Sequence, residues 1–292
     1  MSKSIVRTIY GDGLQHAKYL GMPYQPQPKT TLNEKFEINA GVQLPTGKYP
    51  NTVYYAIGDG GHTFELGNNN KPRIKYHEHW PEDAACYHHL PFVLRPVGND
   101  LSFAQRKNYG MRRVETYGGV QYYAYYLKRL DISKVSQSYW KITVKDGVES
   151  QVPFVPDTAN LNPAPRDLPP TGVVTSDGSY LTVSSIVTLD FSEFDAIELR
   201  NVAKVIYDDE ELAVVSEIAF VSGADREVTV PSGTQGNVNF TEIICAQVNC
   251  HVTTFHDVYN NNLGFVYDYD LGSAEPLLTG TGQRQLIAKP AP

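Results

Sequence analysis

The sequence predicts an α+β fold, mainly β. It is expected to hold antiparallel sheets or a sandwich, extended loops, and one well-defined buried helix at about 193–207. Three observations lead there. Among 292 residues there are 20 Tyr, 23 Gly and 19 Pro against 3 Met and 2 Trp, a composition of short strands joined by turns. Runs of β-branched and aromatic residues recur between Gly, Asn and Pro clusters. One window alone combines an N-cap with a broad apolar helical face.

Taken in order, Leu14–Leu20 reads as a short helix after the turn Gly11-Asp12-Gly13. Residues 21–30, GMPYQPQPKT, hold three Pro and read as an extended arm or strap, which in assemblies often lies on a neighbour. Phe36–Leu44 and Thr52–Ile57 read as strands. Gly58-Asp59-Gly60-Gly61-His62 lacks the Gly-Lys-Ser/Thr of a phosphate loop and reads as a turn, as does GNNNKP at 67–72.

The centre of the first half is 90–132. Pro91–Arg95 reads as a strand closed by Pro96. Asn99-Asp100 offers an N-cap for a helix over Leu101–Tyr109. Met111–Tyr117 and Val120–Leu130 read as a hairpin, with Gly118-Gly119 supplying the two positive-φ positions of a tight turn. Tyr122, Tyr123, Tyr125 and Tyr126 crowd both faces of the second arm, so that sheet must be covered on both sides. A second hairpin, Trp140–Val144 with Gln151–Val155, flanks Asp146-Gly147. Residues 156–172, rich in Pro, read as a linker between a basic region (1–155) and an acidic β-rich domain (173–292).

In the second half, Gly178–Asp190 reads as a strand. Ser192, with Asp195 three residues on, caps the helix Glu193–Tyr207. Its apolar residues, from Phe194 and Ile197 to Val205 and Ile206, spread over more than half the circumference, so the helix is expected to be mostly buried. Leu212–Val221, Arg226–Val230, Thr241–Phe255 and Phe265–Asp270 read as strands, SGTQGN and NNNLG as turns, and Leu286–Pro292 as a loose tail.

The formal charge of −7 conceals an asymmetry: residues 1–150 carry +6 and residues 151–292 carry −13. Opposite halves attract, within one chain or between copies set head to tail. The acidic balance disfavours sequence-independent DNA binding. No run reaches the roughly 18 apolar residues of a membrane span, and MSKSIVRTIYGDG lacks the apolar core of a secretory signal. Cys86, Cys245 and Cys250 read as reduced, in a protein made in a cytoplasm. Cys245 and Cys250, five apart on one strand, cannot pair with each other.

Candidate chemistry is sparse. His77, His79, Cys86, His88 and His89 form one metal-like cluster, with His77, His79 and Cys86 the weak zinc candidates, but Pro81 interrupts it and no Cys-x2-Cys knuckle is present. Asp268 and Asp270 lie about 7 Å apart on one strand face, yet read as surface carboxylates. Asp208-Asp209-Glu210-Glu211 lacks calcium-loop spacing and reads as a solvated turn. No catalytic residue, metal or cofactor is assigned. The interface candidates are Arg106, Lys107, Arg112, Arg113, Tyr122, Tyr123, Tyr125 and Tyr126 on the basic hairpin, with Asp208, Asp209, Glu210 and Glu211 as the acidic counterpart.

The combination LPFVLRPVGNDLSFAQRKNYGMRRVE, GVQYYAYYLKRLDIS, FVPDTANLNPAP, NVAKVIYDDEELAVVSEIAFVSG and LGSAEPLL resembles virion structural proteins of tailed bacteriophages. The resemblance implies a non-enzymatic subunit assembled in the host cytoplasm. It implies a copy in a neck, collar or tail ring of the head–tail connector region, or a baseplate part. The implied partners are copies of itself and other virion proteins (portal, adaptor, tail or baseplate), with genomic DNA sliding through a channel and no membrane. Asp208–Glu211 and Asp268 are then candidates to line that channel. Two rival readings are a receptor- or carbohydrate-binding module using Trp80 or Trp140 as a stacking platform, and a metal-dependent hydrolase using His77, His79 and Cys86.

Overall fold

The computed structural model describes residues 4–68, 70–145, 148–164, 178–232, 236–261 and 263–276; at 178–179, 230–232, 236–238 and 273–276 only the backbone is described. The fold is mainly β, with antiparallel pairing throughout the described ladders. The chain forms two compact units, one of Met1–Asp131 with Leu189–Tyr267, the other of Ile132–Thr188 with Asp268–Pro292. The expected division into consecutive halves at 156–172 is therefore replaced by a discontinuous one. Its cause lies in strand pairing: N-terminal strands and acidic C-terminal strands share one sheet.

In the first unit β1 (Ser4–Arg7) leads into α1 (Ile9–Leu20). The helix begins five residues before the expected Leu14, because the Thr8 side chain accepts from Gly11 N at 3.1 Å and starts the helix there. The strap 21–30 lies on its own chain: the Tyr24 hydroxyl donates to Gln247, and the Gln247 amide donates to Thr30 Oγ1 at 2.7 Å. The strand expected at Phe36–Leu44 is instead α2 (Leu32–Phe36) followed by turns. A Thr31–Glu34 capping box nucleates it, and Glu37 and Asn39 at φ 56° and 51° end any extended path.

Then come β2 (Asn51–Gly58), the hairpin β3 (His62–Leu66) and β4 (Pro72–Tyr76), β5 (His89–Leu90) and β6 (Val93–Pro96). The expected helix Leu101–Tyr109 is only α3 (Phe103–Arg106), capped by Ser102. Asp100 cannot cap it, because its carboxylate receives the Tyr125 hydroxyl and Arg112. The hairpin β7 (Tyr109–Tyr117) and β8 (Val120–Arg129) turns on Gly118 and Gly119 at φ 54° and 80°, a pair that a β-branched residue could not replace without strain. Ala124, Tyr125, Tyr126 and Leu127 are all buried, so β8 is covered on both faces within the chain.

The second unit holds β9 (Gln137–Lys145), β10 (Val148–Pro153) and most of β11 (Gly178–Phe191). The turn at 146–147 and residues 165–172 of the linker lie outside the described residues. Back in the first unit, α4 (Glu193–Tyr207) has the expected ends, with the Ser192–Asp195 capping box present. Next are β12 (Val214–Ser232) and β13 (Gly236–Asp257), which absorb three expected strands into two long ones. Finally β14 (Phe265–Asp270) spans both units and β15 (Ser273–Pro276) belongs to the second. Residues 233–235 of the turn SGTQGN and the tail 286–292 lie outside the described residues.

The first unit's sheet runs β1-β13-β12-β2-β8-β6, with β5 beside β2 and β7 beside β8; the second unit's runs β10-β9-β11-β14, with β15 also beside β11. In β13 nearly every residue from Ile243 to Thr254 is buried, the mark of a strand covered on both faces. A bulge sits at Cys245 (φ 55°), where the Asn33 side chain bridges Ile243 O and Ala246 N at 2.9 and 2.7 Å, standing in for a neighbouring strand. All three cysteines are free and buried.

Candidate functional site

The most concentrated polar chemistry surrounds Glu217, on β12. Between β2 and β13 the strand reads LAVVSEIAFV, and its one carboxylate is fully buried. A charge there requires donors. Oε1 accepts from Gly60 N at 2.7 Å and His88 N at 3.1 Å. Oε2 accepts from Tyr87 N at 2.7 Å and lies 2.8 Å from His79 Nε2. The glycine turn serves this contact: a Cβ on Gly60 would meet Glu217 Oε1 at 2.8 Å, and one on Gly61 would meet Ser216 O at 2.4 Å. His79 continues the chain, with Nδ1 2.9 Å from Asp83 Oδ2, which also accepts from Trp80 N at 2.9 Å. Each ring nitrogen of His79 thus faces a carboxylate oxygen. The ring is stacked between Tyr87 and His251, centroids 4.2 and 3.8 Å away. This arrangement latches the 58–61 turn and the 79–88 loop onto the sheet.

The expected metal-like residues are thereby dispersed into separate tasks. His77 faces Gly60 O at 3.3 Å and Thr63 Oγ1 at 3.2 Å. Burial and the nearby Glu217 push the Cys86 thiol well above its ordinary range, which makes it inert. Cys86 N donates to His89 Nε2 at 3.0 Å, so His89 is neutral; burial, then Lys35, hold it far below the usual imidazole range. His251 is pushed down to about 4 by burial and by His79. Exposed His88 goes the other way, raised by its hydrogen bond to Asp59 Oδ1 at 2.5 Å; the Tyr207 hydroxyl donates to Asp59 Oδ2 at 2.6 Å. Among the described residues no group of three or more His, Cys, Asp or Glu is placed to hold a metal ion.

The interface candidates are placed differently from the expectation. Arg95 makes a two-pronged pair with Glu198 at 2.6 and 2.6 Å, Lys128 pairs with Asp195, and Arg129 grips Asp225 at 3.0 and 3.0 Å. Cations of β6 and β8 thus meet carboxylates of the acidic half inside one chain, although not Asp208–Glu211. Arg112 is 2.6 Å from Asp100, and Arg113 is 3.0 Å from Glu115 and donates to Phe36 O at 3.2 Å. Arg106 lies 3.4 Å from the centre of the Phe240 ring and Lys107 lies 4.4 Å from that of Phe103. Tyr122 and Tyr123 are half-buried; Tyr125 and Tyr126 are buried, their hydroxyls donating to Asp100 and Glu115.

Asp208, Asp209, Glu210 and Glu211 are exposed, with Asp208 3.0 Å from Lys204 and Glu210 2.8 Å from Arg200. The face of α4 also differs from the expectation. Asp195 and Glu198 turn inward to their cations, while Phe194 and Ile197 are 43% and 47% exposed. The buried face combines these two ion-paired acids with Ala196, Leu199, Val202 and Ala203.

In the second unit Asp268 and Asp270 tie β14 to β11, accepting from Thr188 and Ser184 hydroxyls at 2.7 Å each. In the first unit a cleft of about 480 Å³ lies where β2 begins beside Gly223–Arg226, and one of about 210 Å³ lies beneath the strap. Glu217 went unrecognised in the sequence, although a lone acid inside an apolar β-branched run is a signal that donors must converge on it.

The model of a family described as of unknown function, DUF7208, matches residues 1–285, and the chain belongs to that family. Neither the curated proteins nor the solved structures contain a match. Among the described residues no helix is long and apolar enough to cross a membrane.

Proposed function

We infer that the chain is a non-enzymatic structural subunit of a tailed-phage virion. It assembles head to tail into a multi-copy neck, collar or tail ring that joins head and tail or forms part of the DNA conduit. Its partners are further copies and the adjoining portal, adaptor, tail or baseplate proteins. Beyond the sequence resemblance, one observation carries this reading. The first unit spends its charged groups on internal cross-links, whereas the second is a sheet that, among the described residues, leaves Tyr139, Val148, Val152 and Ile186 exposed and buries few side chains. A sheet of that kind is completed by assembly. Exposed Asp208–Glu211 is available to face a bore and repel phosphates.

The test is composition and reconstruction of purified particles. The expected result is this chain in a closed ring of equivalent copies at the head–tail junction. Its absence from particles would overturn the reading. A baseplate or glycan-binding role is the second reading, favoured by Trp80 at 66% exposure beside the half-exposed Tyr87. Glycan-array binding abolished by Trp80→Ala would select it.

A further inference from the structure

The β9–β10 hairpin has two unlike faces. Along β9 the even positions Ser138, Trp140, Ile142 and Val144 are buried or half-buried, while Gln137, Tyr139, Lys141 and Lys145 are exposed. Antiparallel partners share a face, and the register sets Val148 opposite Lys145 and Val152 opposite Lys141. The outward face therefore carries Tyr139, Val148 and Val152, exposed by 44%, 69% and 58%, between two lysines. An outward sheet face is ordinarily polar, so three large apolar side chains together on one small hairpin mark a surface that something covers. Glu149, opposite Val144, is on the other face, so neither strand puts a carboxylate here.

A complementary surface exists on the same polypeptide type. The outer face of α4 presents Phe194 and Ile197, neighbours at i and i+3, and the turn after it presents Leu212 at 49% exposure. Exposed Glu193 lies at the start of this helix and exposed Asp208, Asp209, Glu210 and Glu211 follow its end, with Arg200 and Lys204 between them paired to Glu210 and Asp208, so five carboxylates stand against two cations. Both surfaces have an apolar centre and a charged rim, and the rims have opposite signs.

We propose that the outward face of the β9–β10 hairpin docks a second copy of this chain through the acidic outer face of that copy's α4 and the turn ending at Leu212. Self-pairing of the hairpin face would set lysines against lysines, so the contact is heterologous and propagates from copy to copy. The proposal deepens the ring reading by naming its interface.

The test uses the full chain, with self-association followed by sedimentation velocity over a concentration series. Wild type is expected to associate. K141E/K145E and E193K/E211K are each expected to weaken association roughly tenfold or more, with circular dichroism unchanged. An equimolar mixture of the two variants is expected to recover association, since each supplies a surface the other can pair with. Val152→Asp, which inserts a charge into the middle of the face, gives the same loss by an independent route should the lysine variant fold poorly. Association equal to wild type in both K141E/K145E and V152D, a wild type monomeric throughout, or no recovery in the mixture would overturn this interface. Particle composition separates the two claims. Failed recovery with the chain present in many copies per particle removes the interface and leaves the ring, whereas recovery with the chain absent from particles does the reverse.

Discussion

The two units use the same antiparallel ladder to opposite ends. In the first, long strands are buried on both faces, and the charged groups that burial traps are matched: Glu217 by three backbone amides and His79, Asp195 by Lys128, Glu198 by Arg95. In the second, hydroxyl–carboxylate bonds join β11 to β14 while apolar side chains stay in solvent. The difference teaches where stability resides. One sheet is held by its own interior; the other, on the interface proposed above, gains stability when a second copy covers it.

The largest expected effect is at the Glu217 latch. Glu217→Ala strands His79 and three amide donors in the interior and should destabilise the chain by roughly 3–5 kcal/mol, read by urea denaturation. Val152→Ser in the other unit should change it by less than about 0.5 kcal/mol. Equal effects would erase the contrast.

Next is the Arg95–Glu198 pair. Glu198→Ala leaves the half-buried Arg95 guanidinium with Leu94 O as its remaining acceptor and should cost about 2 kcal/mol. Arg95→Met with Glu198→Leu should be nearly neutral, a non-additivity that a double-mutant cycle measures.

Acidity should act on the first unit with a defined sign. His251 is held at about 4, and His89 and His62 are also lowered, chiefly by burial. The unfolded chain binds these protons first, so stability is full above about pH 6.5 and falls as pH drops toward 4, with His251 alone worth about 3 kcal/mol. His88, raised by Asp59, has the opposite sign: its contribution is present in acid and fades as pH rises through its folded value. Thermal melts between pH 7 and 4 would show the net loss, and His251→Asn should flatten it.

A smaller loss than at Glu217 or Glu198 is expected for Arg112→Glu with Arg113→Glu. These partly exposed cations hold Asp100, Glu115 and Phe36 O within the chain, so reversal should lower stability by about 1–2 kcal/mol and leave self-association per folded molecule unchanged.

Much of the fold was legible where local chemistry decides it. Ser192 and Asp195 locate the start of α4, Gly118-Gly119 the turn of the β7–β8 hairpin, and the alternation of FVYDYD both ends of β14. Thr31 and Glu34 carried an equally clear capping box, but the β-like residues after them drew the reading to a strand. The site was less legible because its chemistry is long-range. Nothing near Glu217 in sequence announces Gly60 or His79, more than a hundred residues away. The charge asymmetry did foretell attraction between halves, but only the folded sheet shows Arg95, Lys128 and Arg129 satisfying it within one chain. The discontinuous units were hidden for the same reason, since β9–β11 interrupt a sheet whose strands lie on both sides of them in sequence.

Amide hydrogen exchange on the full chain, compared between dilute and concentrated solution, tests the contrast most directly. The prediction is that β12 and β13 exchange slowly at both concentrations, while β9 and β10 exchange far faster when dilute and gain protection as copies associate. Protection of β9 and β10 matching that of β12 and β13 in the dilute monomer would contradict it.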